Sequence, residues 1–173
     1  KSTFINSFTG ETISIENKKI NTTLDVVAGI YNIENIQIIF YDTPGFSLLK
    51  TNRTTQKKQR TEIWEVINNV DLIFFIIDIL KFNYNNIVKD IEKIKKINKP
   101  IIVVFNKIDL IKKEIILLYI QKLNEINLID DFFNISAKYK TGFDSIKKYL
   151  IKKSKQGEWK YNLGEISNKS DIF

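Results

Sequence analysis

Short, uninterrupted apolar runs alternate with stretches of helical spacing through most of this chain, and that alternation leaves few folds open. Asp71-Leu72-Ile73-Phe74-Phe75-Ile76-Ile77 and Pro100-Ile101-Ile102-Val103-Val104-Phe105 are continuous in the way a parallel strand covered on both faces must be. Pro100 stands at a first strand position, where no ladder N–H is needed. Between and after these runs, apolar residues recur at helical intervals: Ile87, Ile91 and Ile94; Ile116, Ile120, Leu123 and Ile126; Phe143, Ile146 and Leu150. Asp131-Phe132-Phe133-Asn134-Ile135 reads as the last strand. Upstream, Val26 to Tyr31 and Ile36 to Tyr41 read as an antiparallel hairpin across Asn32-Ile33-Glu34-Asn35, and Ile63, Val66, Ile67 and Val70 place a helix over residues 61–69. The expected fold class is α/β: a mostly parallel sheet with helices on both faces.

Composition removes several chemistries. The chain has no Cys and no His, which excludes disulfides, thiol catalysis, Ser-His catalysis and most zinc sites. No apolar run approaches the roughly 20 residues of a membrane-spanning helix, and no signal peptide opens the chain. Net charge is +7, and every basic residue except Arg53 and Arg60 is lysine. A basic surface suits RNA. The lysines are scattered, however, and Ile, Asn and Lys dominate throughout, so codon bias is the expected cause. The 173 residues contain no Met and begin at Lys1-Ser2-Thr3 with no strand ahead of them. The expectation is a fragment whose first strand is missing.

Three strand ends carry polar motifs, and ligand sites in such sheets lie outside the carboxyl ends of strands. After Tyr41 come Asp42-Thr43-Pro44-Gly45: a carboxylate able to face Mg²⁺ through a water, then a Gly N–H open to a phosphate. Alone, this tetrapeptide equally fits a plain turn before the loop of residues 47–59. After Phe105 come Asn106-Lys107-Ile108-Asp109. An Asp carboxylate there can accept both N1–H and N2–H of guanine, a donor pair adenine lacks. Asn106 can hold adjoining loops, and the Lys107 stem can lie on the base. After Ile135 come Ser136-Ala137-Lys138, whose backbone N–H groups could meet guanine O6, or which could be only a loop. At the front, Lys1-Ser2-Thr3 leads into a helical stretch ending near Gly10, where Lys1 could reach the β- and γ-phosphates and Ser2 could ligate Mg²⁺. In the polar segment 13–25, Thr22 and Thr23 could supply an oxygen to Mg²⁺.

In order and spacing, these residues resemble the five motifs of small translational GTPases over roughly residues 1–153, and within them the bacterial Era-type GTPases. Gly10-Glu11-Thr12-Ile13-Ser14-Ile15 with Asn21-Thr22-Thr23, and Trp159-Lys160-Tyr161 through Ser167-Asn168-Lys169-Ser170, carry the narrower likeness. The resemblance implies a P-loop NTPase fold of the Ras-like kind, with residues 1–153 as an N-terminally shortened GTPase domain and 154–173 as a linker toward a C-terminal KH domain. It implies GTP and GDP as ligands, Mg²⁺, and K⁺ as a candidate activator. Lys1, Ser2, Thr3, Thr22, Thr23, Asp42, Thr43, Pro44, Gly45, Asn106, Lys107, Asp109, Ser136, Ala137 and Lys138 would contact nucleotide. Ser2, Thr23 and Asp42 would serve the metal; Lys1, Thr23 and Gly45 would serve catalysis. The implied role is small-subunit assembly on 16S rRNA and the 30S subunit, chiefly through the KH domain. DNA is not an expected partner. The implied home is the cytoplasm, and the resemblance allows a peripheral fraction at the inner membrane. Where many GTPases place a water-orienting Gln after the third motif, this chain has Phe46, so slow intrinsic hydrolysis is expected. Two alternatives stay open: a GTP-binding module that never hydrolyses, and a related GTPase of tRNA modification or large-subunit assembly.

Overall fold

The computed structural model describes residues 2–9, 27–42 and 67–161. In chain order they form α1 (Ser2–Thr9), β1 (Val27–Ile33), β2 (Ile36–Tyr41), β3 (Ile73–Asp78), α2 (Tyr84–Lys95), β4 (Ile101–Asn106), α3 (Lys113–Asn124), β5 (Asp131–Ile135) and α4 (Phe143–Lys153). They belong to two units: Lys1–Pro44 with Phe143–Phe173, and Gly45–Gly142.

The first unit is built on the hairpin that the alternating pattern predicts. β1 and β2 pair antiparallel from Ile33↔Ile36 outward, with an irregularity between Val27 and Gly29. β1 runs on to Ile33, past the expected end at Tyr31, because Asn32 is accommodated as the cross-strand partner of Gln37. The turn is thus only Glu34 and Asn35. Aromatic side chains dominate the packing. Phe4 and Phe8 lie one helical turn apart on α1 and are buried with Ile5. The Phe8 ring meets Phe40 edge-on at 4.9 Å and Tyr31 at 5.2 Å, and Phe4 lies 5.5 Å from Phe143 of α4. Such pairs contribute about 0.5–1.5 kcal/mol each beyond the area they bury. Phe143, Ile146 and Leu150 are the buried residues of α4, as their spacing requires.

The second unit is a three-stranded parallel sheet in the order β3-β4-β5, connected by α2 and α3. β4 is central. Ile101, Val103 and Phe105 join a core with Ile87, Ile91 and Ile94 of α2 and Ile116 and Leu123 of α3. Ile102 and Val104, on the opposite face, are equally inaccessible at 0 % exposure, so this strand is covered on both sides as its apolar run predicts. β3 departs from expectation: it starts at Ile73, and only Ile77 is fully buried. Among the described residues β3 pairs only with β4, and the hairpin forms a separate two-stranded sheet. Of the helix expected over residues 61–69, only 67–69 are described, and they are helical.

Candidate functional site

Each described strand end of interest carries an oxygen-bearing residue: Asp42 just beyond β2, Asp78 closing β3, Asn106 closing β4, and Ser136 just beyond β5. In open α/β sheets ligands bind outside the carboxyl ends of the strands, which is where these residues stand.

In the first unit the structure brings together two residues forty positions apart. The Ser2 hydroxyl, at the first position of α1, donates to Asp42 Oδ2 at 2.9 Å. Ser2 is exposed and Asp42 half-buried. Both groups are hard oxygen donors of the kind Mg²⁺ takes, and α1 has no acidic residue in its first turn to compete for the positive end of the helix dipole. The donor set fits the metal role assigned from sequence. Thr3 is exposed beside Ser2. Lys1, Thr22, Thr23, Thr43, Pro44, Gly45 and Phe46 lie outside the described residues.

In the second unit Asn106 is the organiser. Its Oδ1 accepts the N–H of Lys107 at 2.8 Å and the N–H of Ala137 at 3.0 Å, so one amide ties the turn after β4 to the turn after β5. This is the loop-holding role expected of it. Lys107 adopts the left-handed conformation, φ 68° and ψ 35°, and a 3₁₀ turn, Ile108–Leu110, follows with Asp109 exposed. The second turn is braced from within. Ser136 and Thr141 exchange backbone hydrogen bonds at 3.2 and 3.1 Å, and Ser136 Oγ accepts the Tyr139 N–H at 3.4 Å. Ser136 is 1 % exposed, so its side chain serves the turn, while Lys138 is exposed with its ammonium 5.1 Å from the Tyr139 ring centre.

Sequence reasoning missed Asp78. Its Oδ2 accepts from Lys107 Nζ at 2.6 Å, and its Oδ1 caps the 3₁₀ turn, Ile79–Lys81, through Leu80 N–H. The hydrogen bond from Lys107 holds the Asp78 carboxyl below the usual carboxylate range, helped by the Leu80 N–H and by the charges of Lys107 and Lys81, against a smaller opposing effect of desolvation. The available signal was register: Asp78 is a lone acid ending an apolar strand, and in the parallel pairing it sits beside Asn106. Its salt bridge fixes the Lys107 side chain, whose stem was expected to lie on a base.

A family model described as 50S ribosome-binding GTPase matches residues 1–107. GTPase Era of Sinorhizobium medicae is 32 % identical over 168 residues, which are 97 % of this chain and 54 % of that protein. GTPase Era of Agrobacterium fabrum is 33 % identical over 97 % of this chain and 52 % of its own length. The chain therefore spans about half the length of the curated relatives it matches. Among solved structures, Era in complex with MgGDPNP and nucleotides 1506–1542 of 16S ribosomal RNA superposes with TM-score 0.72 at 31 % identity, covering 93 % of this chain and 55 % of that one. A single-residue variant of Aquifex aeolicus Era bound to GDP·AlF4⁻ gives TM-score 0.72 at 29 % identity, with the same coverage. The fold is the α/β P-loop GTPase fold.

Proposed function

Because this chain belongs to the 50S ribosome-binding GTPase family, we propose that it binds GTP and GDP with Mg²⁺ and hydrolyses GTP to GDP and phosphate, as the GTPase part of an Era-type protein. Residues 1–153 carry the nucleotide chemistry in this reading, and 154–173 lead toward an RNA-binding KH domain.

The observation that carries the proposal is the double acceptance at Asn106, which braces the two turns of the second unit while leaving the Asp109 carboxylate exposed. Asp109 reads guanine through N1–H and N2–H, and the turn of Ser136, Ala137 and Lys138 lies on its O6 side, where the Ser136 and Ala137 N–H groups already serve Thr141 O and Asn106 Oδ1. On the phosphate side, Ser2 and Asp42 would hold Mg²⁺ with Thr23 or Thr22. When bound, the ion would supply positive charge that offsets charge developing on the phosphates. In this reading Lys1 would add a second cation there, Thr3 and the start of α1 would add N–H donors, and Thr43, Pro44 and Gly45 would serve the γ-phosphate through the Gly45 N–H. A water in line with that phosphate is the nucleophile, and the chain contributes position and charge rather than a covalent intermediate. Phe46 offers no hydrogen bond to that water, so turnover is slow unaided, and K⁺ or the ribosome accelerates it. Substituting Asp109→Asn tests the base assignment: affinity should fall for GTP and rise for XTP, whose 2-oxo group accepts where guanine donates. Unchanged GTP affinity overturns it.

The proposed setting is small-subunit assembly in the cytoplasm, with 16S rRNA and the 30S subunit as partners and a peripheral fraction at the inner membrane. Its support is the likeness to Era, one structure of which holds a 16S rRNA segment. Phe46 also favours a second reading, in which GTP is bound and reported but not cleaved. Single-turnover GTP cleavage by the full-length protein with 30S subunits separates the two.

A further inference from the structure

Beyond α4 the chain has no helix or strand through residue 161, yet it is tied to the hairpin at three points. The Gln37 side-chain amide donates from Nε2 to Tyr161 O at 2.9 Å and accepts at Oε1 from Tyr161 N at 3.1 Å. An amide offers a donor and an acceptor at the spacing of a peptide group, so Gln37 pairs with Tyr161 as a neighbouring strand would. Two residues earlier, Trp159 Nε1 donates to Asn35 O at 3.1 Å, also across 124 positions of sequence. The step of two is the same on both sides: Asn35 and Gln37 meet Trp159 and Tyr161.

Further observations agree. Burial, and after it the charge of the Tyr161 phenolate, raises the Tyr41 hydroxyl above its usual range. Asn32, the cross-strand partner of Gln37, keeps a buried Oδ1 with no hydrogen-bond partner among the described residues. Gln37 is thus committed to the tail rather than to its nearest polar neighbour.

We infer that the Asn35–Gln37 end of the hairpin is a docking site for a Trp-x-Tyr segment, occupied by Trp159–Tyr161, and that it holds the tail against β2. The dock holds one end of β2 while Asp42 follows the other. A shift of Asp42 on exchange of the nucleotide therefore reaches the tail through one short strand. This second step rests on the phosphate-side role proposed for Ser2 and Asp42; the dock itself does not.

The test is amide hydrogen exchange on the full-length protein, comparing wild type with Gln37→Leu and Trp159→Phe. Each variant removes tail hydrogen bonds while keeping side-chain bulk. Exchange in the 155–161 segment should rise about tenfold in Gln37→Leu and by less in Trp159→Phe, with β1 and α1 exchange unchanged. Unchanged tail exchange in both variants overturns the dock. If Gln37→Leu exchanges faster everywhere, it has lost the fold, and Trp159→Phe then decides alone. In wild type, tail exchange should differ between saturating GDP and a non-hydrolysable GTP analogue, and the difference should vanish in Gln37→Leu. Saturable nucleotide binding with identical tail exchange overturns the coupling alone, whereas absence of saturable binding overturns the nucleotide reading and the coupling together but leaves the dock standing.

Discussion

Asp78 and Lys107 form the shortest ion pair among the described residues, at 2.6 Å, and one member lies in the motif assigned to the base. Both side chains remain partly in water, so the pair contributes no more than about 1 kcal/mol to stability. Its larger effect is to fix a flexible ammonium before a ligand arrives. Asp78→Asn should weaken GTP binding about threefold to tenfold, measured by titration with a fluorescent nucleotide. Because the folded carboxyl is held below its usual 3.8, the pair's contribution is fully present above that value and is lost as pH falls through the lowered one. The stability gap between wild type and Asp78→Asn should therefore be constant from neutral pH to about 5 and close only in stronger acid. Gly142 makes a second case. Its φ is +84°, and an added Cβ would fall 2.2 Å from the Asn134 carbonyl oxygen. Gly142→Ala should cost about 1–3 kcal/mol, seen as a lowered midpoint in urea. Asn106 was legible in the sequence because its hydrogen bonds follow from its own amide and its place after a strand. Asp78 and Gly142 were not, because the first depends on a cross-strand neighbour and the second on a backbone angle that no apolar pattern encodes.

At the scale of elements, periodicity carried the fold further than it carried boundaries. β2 and β5 have the limits their apolar runs suggest, and the three described helices with named spacing bury the residues expected of them, except that Ile120 is only half-buried and Ile126 lies past the end of α3 at Asn124. α3 begins at Lys113, three residues before its first buried position, because apolar spacing marks the buried face of a helix and not its start. β3 resembles β4 in composition but not in burial, since a run of Ile and Phe does not reveal which strand is central. That difference has an energetic signature. Phe105→Ala in β4, where exposure is 0 %, should destabilise by about 3–5 kcal/mol. Leu117→Ala in α3, a residue 64 % exposed, should change stability by no more than about 0.5 kcal/mol. Chemical denaturation of the two variants side by side checks both.

For the molecule as a whole, the alternation of strands and helices predicted one mostly parallel sheet, and the described residues form a parallel sheet in one unit and an antiparallel hairpin in the other. Both kinds of pairing were legible in the alternation, the hairpin from its short polar connector and the parallel strands from their continuous apolar runs. The proposed ligand offers a check that depends on neither motif alone. In the proposed reading, the phosphates of GTP and GDP go to Ser2 and Asp42 and the guanine to Asp109. A ligand that binds the folded chain stabilises it by RT ln(1 + [L]/Kd), about 2.7 kcal/mol at a hundredfold excess over Kd. With Mg²⁺ and saturating GDP, hydrogen exchange should slow in residues 2–9 and in residues 136–141 over the same range of nucleotide concentration. ADP at that concentration should protect neither segment, since adenine lacks the N1–H and N2–H pair that Asp109 is proposed to accept. Protection of residues 2–9 by GDP and ADP alike would mean that phosphates bind without base selection and would remove Asp109 from the recognition.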